Sequence, residues 1–366
     1  MPVYLFVHIL RYARLLGSGL LLAMLALPSL AENPAQVKAA ATAPPHIGVI
    51  LPLNNSAFRQ PAEAVKDGLL AASKQQPGTP PIRIYPTSDD PNNVLAVYQQ
   101  ALKNGAKVIV GPLLKSAVTA LAEADFVNVP TIALSVPDLE VSQPNLYLFG
   151  LSLDAEARQV AQFMRREGRQ SALIIRAANA LGQRMQMAFS ETWQRQGGNI
   201  TGQLVYSAST DLSVLHDYVS KLPSDALFLA LNAQDASLVR PYLPSKIASY
   251  ATSQIFTGIA TPLNVDLSGV RFLDMPWLLQ PDHPAVMVFS RLERPLNMDS
   301  ERLYAMGIDA YRLAQLFFQG AIPTSGNILD GVTGQISLGA NRQFTRELTA
   351  AEFQVNTVVI LDNAQP

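Results

Sequence analysis

GAKVIVGPLLKSAVTALAE, residues 105–123, passes from a strand through a turn into a helix within a short span. Val108, Ile109 and Val110 are consecutive β-branched residues, the habit of a strand covered on both faces in a parallel sheet. Gly111 and Pro112 interrupt it, and a helix starts near Ser116, whose hydroxyl could cap that helix or bind a ligand oxygen. A phosphate loop is a poor reading. Its converging N–H groups require several glycines and a following Lys-Ser or Lys-Thr, whereas here Gly111 stands alone and Pro112 has no N–H.

The same strand, loop and helix unit recurs along the chain. IGVIL (47–51), IRIY (82–85), KVIV (107–110), TIAL (131–134), ALII (172–175), QLVY (203–206) and ALFLAL (226–231) read as buried strands. Between them, Val65, Leu69 and Ala72, then Leu95, Tyr98 and Leu102, fall at helical spacing. Ala157, Val160, Ala161 and Met164 follow the expected cap Asp154, and Met185, Phe189 and Trp193 step by four. This alternation predicts an α/β fold with helices on both faces of the sheets.

The pattern opens at Ile47 and again at Ala172, on either side of the extended stretch NLYLFGLSLD (145–154), so it predicts two similar lobes joined by a crossover. After about residue 270 the rhythm changes. DMPWLLQPDHPAV (274–286) is broken by prolines, residues 301–321 form one long helix, and GVTGQISLGANRQFTREL (331–348) reads as a hairpin turning at 339–341.

The chain has 366 residues, mean hydropathy +0.16 and 15% charged side chains, which suits large buried sheets. Arg11 and Arg14 precede an apolar run from Leu15 to Leu27 and then Pro28-Ser29-Leu30-Ala31, the order of a cleavable export signal. That run is shorter than the roughly 20 residues a spanning helix needs. The expected organisation is a signal at 1–31, an Ala/Pro-rich linker at 32–45, a first lobe at 46–150 completed by part of 282–322, and a second at 151–281 completed by about 328–366. Without Arg11 and Arg14 the chain keeps 25 basic against 28 acidic residues with no long run of either sign, so no nucleic-acid partner is expected. It contains no cysteine, so disulfides, thiolate chemistry and a lipobox are all absent from the sequence, and no lipid anchor is predicted.

Chemistry finds little purchase. After the signal only His46, His216 and His283 remain, with no H-E-x-x-H, no G-x-S-x-G and no framed pair of carboxylates, so no catalytic residue, metal or cofactor is expected. Ligands of open α/β sheets lie beyond the carboxyl ends of the strands, where Asn54, Asn55, Ser116, Ser135 and Asn179 are the candidates to line a cleft between lobes. Helix capping and turn formation are the ordinary alternative for such residues. Asp309, inside the apolar helix, could pair with Arg312 or cap a neighbouring element. Trp277 either anchors a contact between lobes or offers an aromatic hot spot to a partner.

The stretches HIGVILPLNNSAFRQPAEAVKDGLLAA, GAKVIVGPLLKSAVTALAE, DMPWLLQPDHPAV, LYAMGIDAYRLA and GVTGQISLGANRQFTREL together resemble the C-terminal domain of the penicillin-binding protein activator family, over roughly residues 46–350. That domain is similar in turn to type I periplasmic solute-binding proteins. The resemblance implies a two-lobed fold, each lobe a mostly parallel sheet flanked by helices, with three crossovers. It implies a non-enzymatic periplasmic protein that regulates a bifunctional penicillin-binding protein, a peptidoglycan synthase, through protein contacts. The alternative is a solute receptor of the ABC-transporter type holding a small polar or amino-acid-like ligand between its lobes. Amino-acid receptors hold the ligand carboxylate with a serine-rich loop and a Ser-Pro-x-Ala-Thr loop. Ser116 matches the first, while Leu134 and Pro137 in the second remove a hydroxyl and an amide donor.

Overall fold

The computed structural model describes residues 44–361 apart from 76–77, 259–261, 322, 340 and 356. The export signal expected at 1–31 and nearly all of the linker expected at 32–45 lie outside the described residues. No helix among those described is long and apolar enough to cross a membrane.

The first sheet holds β1 (His46–Leu51), β2 (Ile82–Pro86), β3 (Ala106–Val110), β4 (Thr131–Ala133) and β5 (Leu146–Leu148), with α1 (Arg59–Lys74), α2 (Pro91–Lys103) and α3 (Lys115–Glu123) between them. Its order is β2-β1-β3-β4-β5, and every pair is parallel. The chain then crosses to a second unit: α4 (Leu153–Arg166), β6 (Ser171–Ala177), α5 (Ala180–Arg195), β7 (Asn199–Tyr206), α6 (Leu212–Lys221), β8 (Ala226–Ala230), α7 (Ala233–Val239), β9 (Ala248–Ala251), α8 (Leu263–Asp266) and β10 (Val270–Asp274). Two short turns of helix, α9 (Pro276–Leu279) and α10 (Pro284–Met287), lead back to the long α11 (Met298–Phe318), which lies against α1. The third passage runs through a ribbon of β11 (Gly326–Gly331), β12 (Gly334–Leu338) and β13 (Phe344–Glu347). It delivers β14 (Thr349–Gln354) and β15 (Thr357–Ile360) to the second sheet, whose order is β15-β14-β10-β9-β8-β6-β7. Only β14 is reversed there, pairing antiparallel with both β10 and β15. Two mostly parallel sheets with three crossovers are the type I periplasmic-binding-protein architecture.

All seven expected strands form. β9 and β10 escaped notice because neither is a clean apolar run. Ser249 is buried in β9, and Arg271 interrupts β10 with a guanidinium that bonds Glu352 at 2.8 Å and Glu167. Two helix details differ from expectation. The buried stripe of α2 is Val94, Tyr98 and Ala101, one position from the predicted Leu95 and Leu102, which are half-buried. The cap of α4 is Ser152, whose hydroxyl accepts from the Ala155 N–H, while Asp154 pairs with Arg184 at 2.8 Å.

Where the ribbon meets the first sheet, the Leu148 N–H donates to the Arg342 carbonyl at 3.0 Å. Phe344 sits 6.1 Å from both Tyr147 and Phe149, and Tyr147 lies 4.6 Å from Phe317. Apolar packing therefore runs without a break from one sheet to the other.

Asp309 does both things expected of it. Wholly buried, it accepts from Arg312 Nη1 at 3.1 Å, from the Val332 and Thr333 N–H groups at 3.2 and 2.8 Å, and from the Thr333 hydroxyl at 2.7 Å. It ties the β11–β12 turn to α11, and burial raises its pKa. Trp277 is a structural anchor. It is fully buried, its indole N–H donates to Glu301 at 2.7 Å, and Arg291 stacks 4.5 Å from the ring centre.

Candidate functional site

The opening stretch ends β3 at the rim of a cavity of about 510 Å³ between the two sheets. Gly111 adopts φ +102°, and a Cβ there would stand 2.1 Å from the Ile50 carbonyl, so only glycine fits. Its N–H donates to Ile132, and the Pro112 carbonyl accepts from Leu134 at 2.9 Å. These bonds fasten the β3 loop to the β4 loop.

Apolar side chains, among them Leu113, Leu134, Val136, Leu181, Leu303 and Met306, form much of the cavity wall. Two ion pairs border it. Lys115 holds Asp138 on the first lobe, and that hydrogen bond lowers the pKa of Asp138. Arg184 holds Asp154 on the second, through Nη2 at 2.8 Å and Nε at 3.2 Å. The second carboxylate oxygen of Asp154 is buried and has no hydrogen-bond partner among the described residues. Both pairs are intralobe, so neither ties the lobes shut across the gap.

Of the five candidates, Ser135 lines this cavity, and the other four lie outside its wall. Asn54 is exposed, with its N–H bonded to the Thr87 carbonyl. Asn55 accepts from the Ala57 and Phe58 N–H groups ahead of α1. Asn179 caps α5, accepting from Gly182 N–H at 2.7 Å. Ser116 is exposed in the first turn of α3, whose N-cap position is Leu114, so its hydroxyl does not cap the helix. Capping accounts for Asn179 directly. Asn179→Ala is expected to cost about 1 kcal/mol of unfolding free energy in a urea titration; no loss would show that the cap contributes nothing. Sequence reading gave Asp154 only as a helix cap and did not single out Arg158 or Arg184, because the pairing of Asp154 with Arg184 joins successive helices through residues 30 apart and leaves no local motif.

Behind the cavity lies a buried ionic cluster. Arg302 donates to Asp274 at 2.6 and 3.3 Å and to the Ser253 and Phe256 carbonyls at 2.9 and 3.0 Å. Glu156 accepts from the Ser253 N–H at 3.1 Å. Burial raises the pKa of both Asp274 and Glu156 against the opposing pull of Arg302 and Arg346. Among the described residues no group of His, Asp or Glu is arranged to hold a metal ion.

A family model described as "LppC putative lipoprotein" matches residues 34–222 and 219–356. The penicillin-binding protein activator LpoA of Dickeya chrysanthemi (strain Ech1591) is 30% identical over 329 residues, covering 77% of this chain and 47% of that protein. LpoA of Pectobacterium parmentieri (strain WPP163) is 28% identical over 329 residues, covering 76% and 48%. The chain thus spans about half the length of these curated relatives. Among solved structures, the C-domain of Haemophilus influenzae LpoA, described as a regulator of PBP1A, superposes with a TM-score of 0.71 at 25% identity, covering 86% of this chain and 99% of that one. A protein of Chromobacterium violaceum described as "a putative branched-chain amino acid ABC transporter" superposes with a TM-score of 0.74 at 36% identity, covering 84% and 100%.

Proposed function

The chain belongs to the LppC lipoprotein family, and on that premise we propose that it is a non-enzymatic periplasmic regulator that activates a peptidoglycan synthase by binding it. The observation that carries this reading is the family match across both lobes, joined to the superposition on a domain described as a regulator of PBP1A. The family description names a lipoprotein, whereas the present sequence contains no cysteine. The physical mechanism is differential binding: a lobe surface that prefers the active conformation of the synthase shifts its population by the difference in affinity.

The cavity argues in the same direction. Leu134 is buried and lines the gap, so the loop that supplies donors in amino-acid receptors presents a hydrocarbon here. A bifunctional penicillin-binding protein passed over the immobilised protein is expected to be retained, with a Kd in the micromolar range or tighter. Absence of retention at tens of micromolar would remove the basis of the proposal.

The second reading, a solute receptor, is favoured by the Chromobacterium likeness and by the volume of the gap, which suits a small ligand. Ser135 is the proposed ligand contact under that reading. A receptor saturated at 100 times Kd gains about 2.7 kcal/mol. The activator reading therefore expects no solute-dependent rise in melting temperature that Ser135→Ala removes, and a rise of several degrees that this variant abolishes would favour the receptor.

A further inference from the structure

A second cavity, of about 550 Å³, lies beside the first between α4 and the β12–β13 ribbon. The two share Ser152, Arg158 and Gln343 on their walls but differ in character. Leucines, Val136, Pro137 and Met306 make up about half of the residues around the first, whereas the second has only Ala155 and Phe344 as apolar side chains, and Phe344 is packed into the core. Four glutamines, Gln159, Gln162, Gln335 and Gln343, stand around it with hydroxyls from Ser152, Ser337 and Thr345. Such a wall offers hydrogen bonds in both directions and little hydrophobic attraction, which selects a hydrated polar ligand over an apolar one.

Charge narrows the class. Three arginines, Arg158, Arg166 and Arg346, border the groove against one acid, Glu347. Arg166 and Glu347 approach only to 3.8 Å, with both side chains more than half exposed, so each is held weakly. Arg158 is exposed and has no ion-pair partner among the described residues. Arg346 is buried; Glu156, Asp274 and Asp309 balance its charge through space, yet its Nη1 has no hydrogen-bond partner. A buried guanidinium with a free donor is costly to leave unpaired, and an arginine fork suits a planar carboxylate. The protein as a whole is slightly acidic, so this cationic groove stands out against its own surface.

We propose that the groove between α4 and the β12–β13 ribbon binds a small carboxylate-bearing polar solute, an acidic sugar or a short peptide, with Arg158 and Arg166 receiving the carboxylate and the glutamines its neutral groups. The inference rests on neither the synthase reading nor the inter-lobe gap. It is tested by calorimetric titration of the protein with N-acetylmuramic acid, N-acetylglucosamine, D-alanyl-D-alanine and the C-terminal amide of that dipeptide. One acid is expected to bind at least about tenfold more tightly than its counterpart without the carboxylate, and which acid does so identifies the source. Arg166→Gln should weaken it about tenfold, and Gln162→Glu, at an exposed position, should abolish it by like-charge repulsion; unchanged far-ultraviolet dichroism in each variant keeps the result a binding effect. The proposal is overturned if neither acid binds at millimolar concentration or if the counterparts without the carboxylate bind equally well. It is also overturned if Arg184→Gln removes binding that Arg166→Gln leaves intact, because the ligand would then occupy the gap between the lobes.

Discussion

Replacing Gly307 by alanine is expected to destabilise the protein by about 3 kcal/mol or more, or to prevent its recovery as a folded species. The reason lies in how closely α11 approaches α1. A Cβ at Gly307 would stand 2.2 Å from the Val65 carbonyl and 3.0 Å from the Leu69 nitrogen, and one at Gly68 would stand 2.0 Å from the Tyr304 carbonyl. These are backbone atoms, so no rotamer change relieves the clash and one helix must move away from the other. In an exposed helix the same substitution would stabilise by roughly 0.5–1 kcal/mol. Overpacking of a tight core typically costs 1–3 kcal/mol, and more where backbone must shift. Urea unfolding of Gly307→Ala and Gly68→Ala checks the sign. Variants as stable as the parent would mean that α11 does not cross back onto the first lobe, and the second crossover would be lost with it.

Arg302→Met carries the next largest expected effect, a loss of about 3–5 kcal/mol. Arg302 sits in α11 but its guanidinium reaches Asp274 at the end of β10 and two carbonyls beside β9, so it joins the returning helix to the second sheet. Its side chain is 9% exposed and that of Asp274 is 1%. Removing the cation leaves Asp274 buried without its hydrogen-bonded partner and repelled by Glu156, with only the more distant pull of Arg346 remaining. Most of the loss is this uncompensated burial rather than the worth of the pair, so the double variant Arg302→Met, Asp274→Leu should recover a sizeable part of it. Chemical denaturation of the two variants separates the cases. A single variant within about 1 kcal/mol of the parent would show that the cluster is hydrated and does not hold the lobes together.

How far the sequence carries follows from these same residues. Strands such as Ile47–Leu51 and Ala226–Ala230 are apolar on both faces, so their burial is written locally and they are legible. β10 is not, because Arg271 is tolerated only through Glu167 and Glu352, which lie far away in the chain. Helix termini behave the same way: Asn179 caps α5 as its type and position imply, but Ser116 falls one residue inside α3. The site was harder still. Ser135 is recognisable as a strand-end residue, whereas the Asp154 and Arg184 pair, the orphaned donor of Arg346 and the polar groove exist only once α4 is laid against α5 and the ribbon. Gly68 and Gly307 stood in the sequence as ordinary helix-weakening glycines, and only the crossing of two helices more than two hundred residues apart gives them their role.

The central claim is that these two lobes act by recognising a synthase, with no reaction of their own. Glycan-strand polymerisation by a purified bifunctional penicillin-binding protein, followed with and without saturating amounts of this protein, tests it most directly. A coupling of about 1–3 kcal/mol predicts a rate increase of roughly fivefold or more. An unchanged rate at saturation would contradict the account.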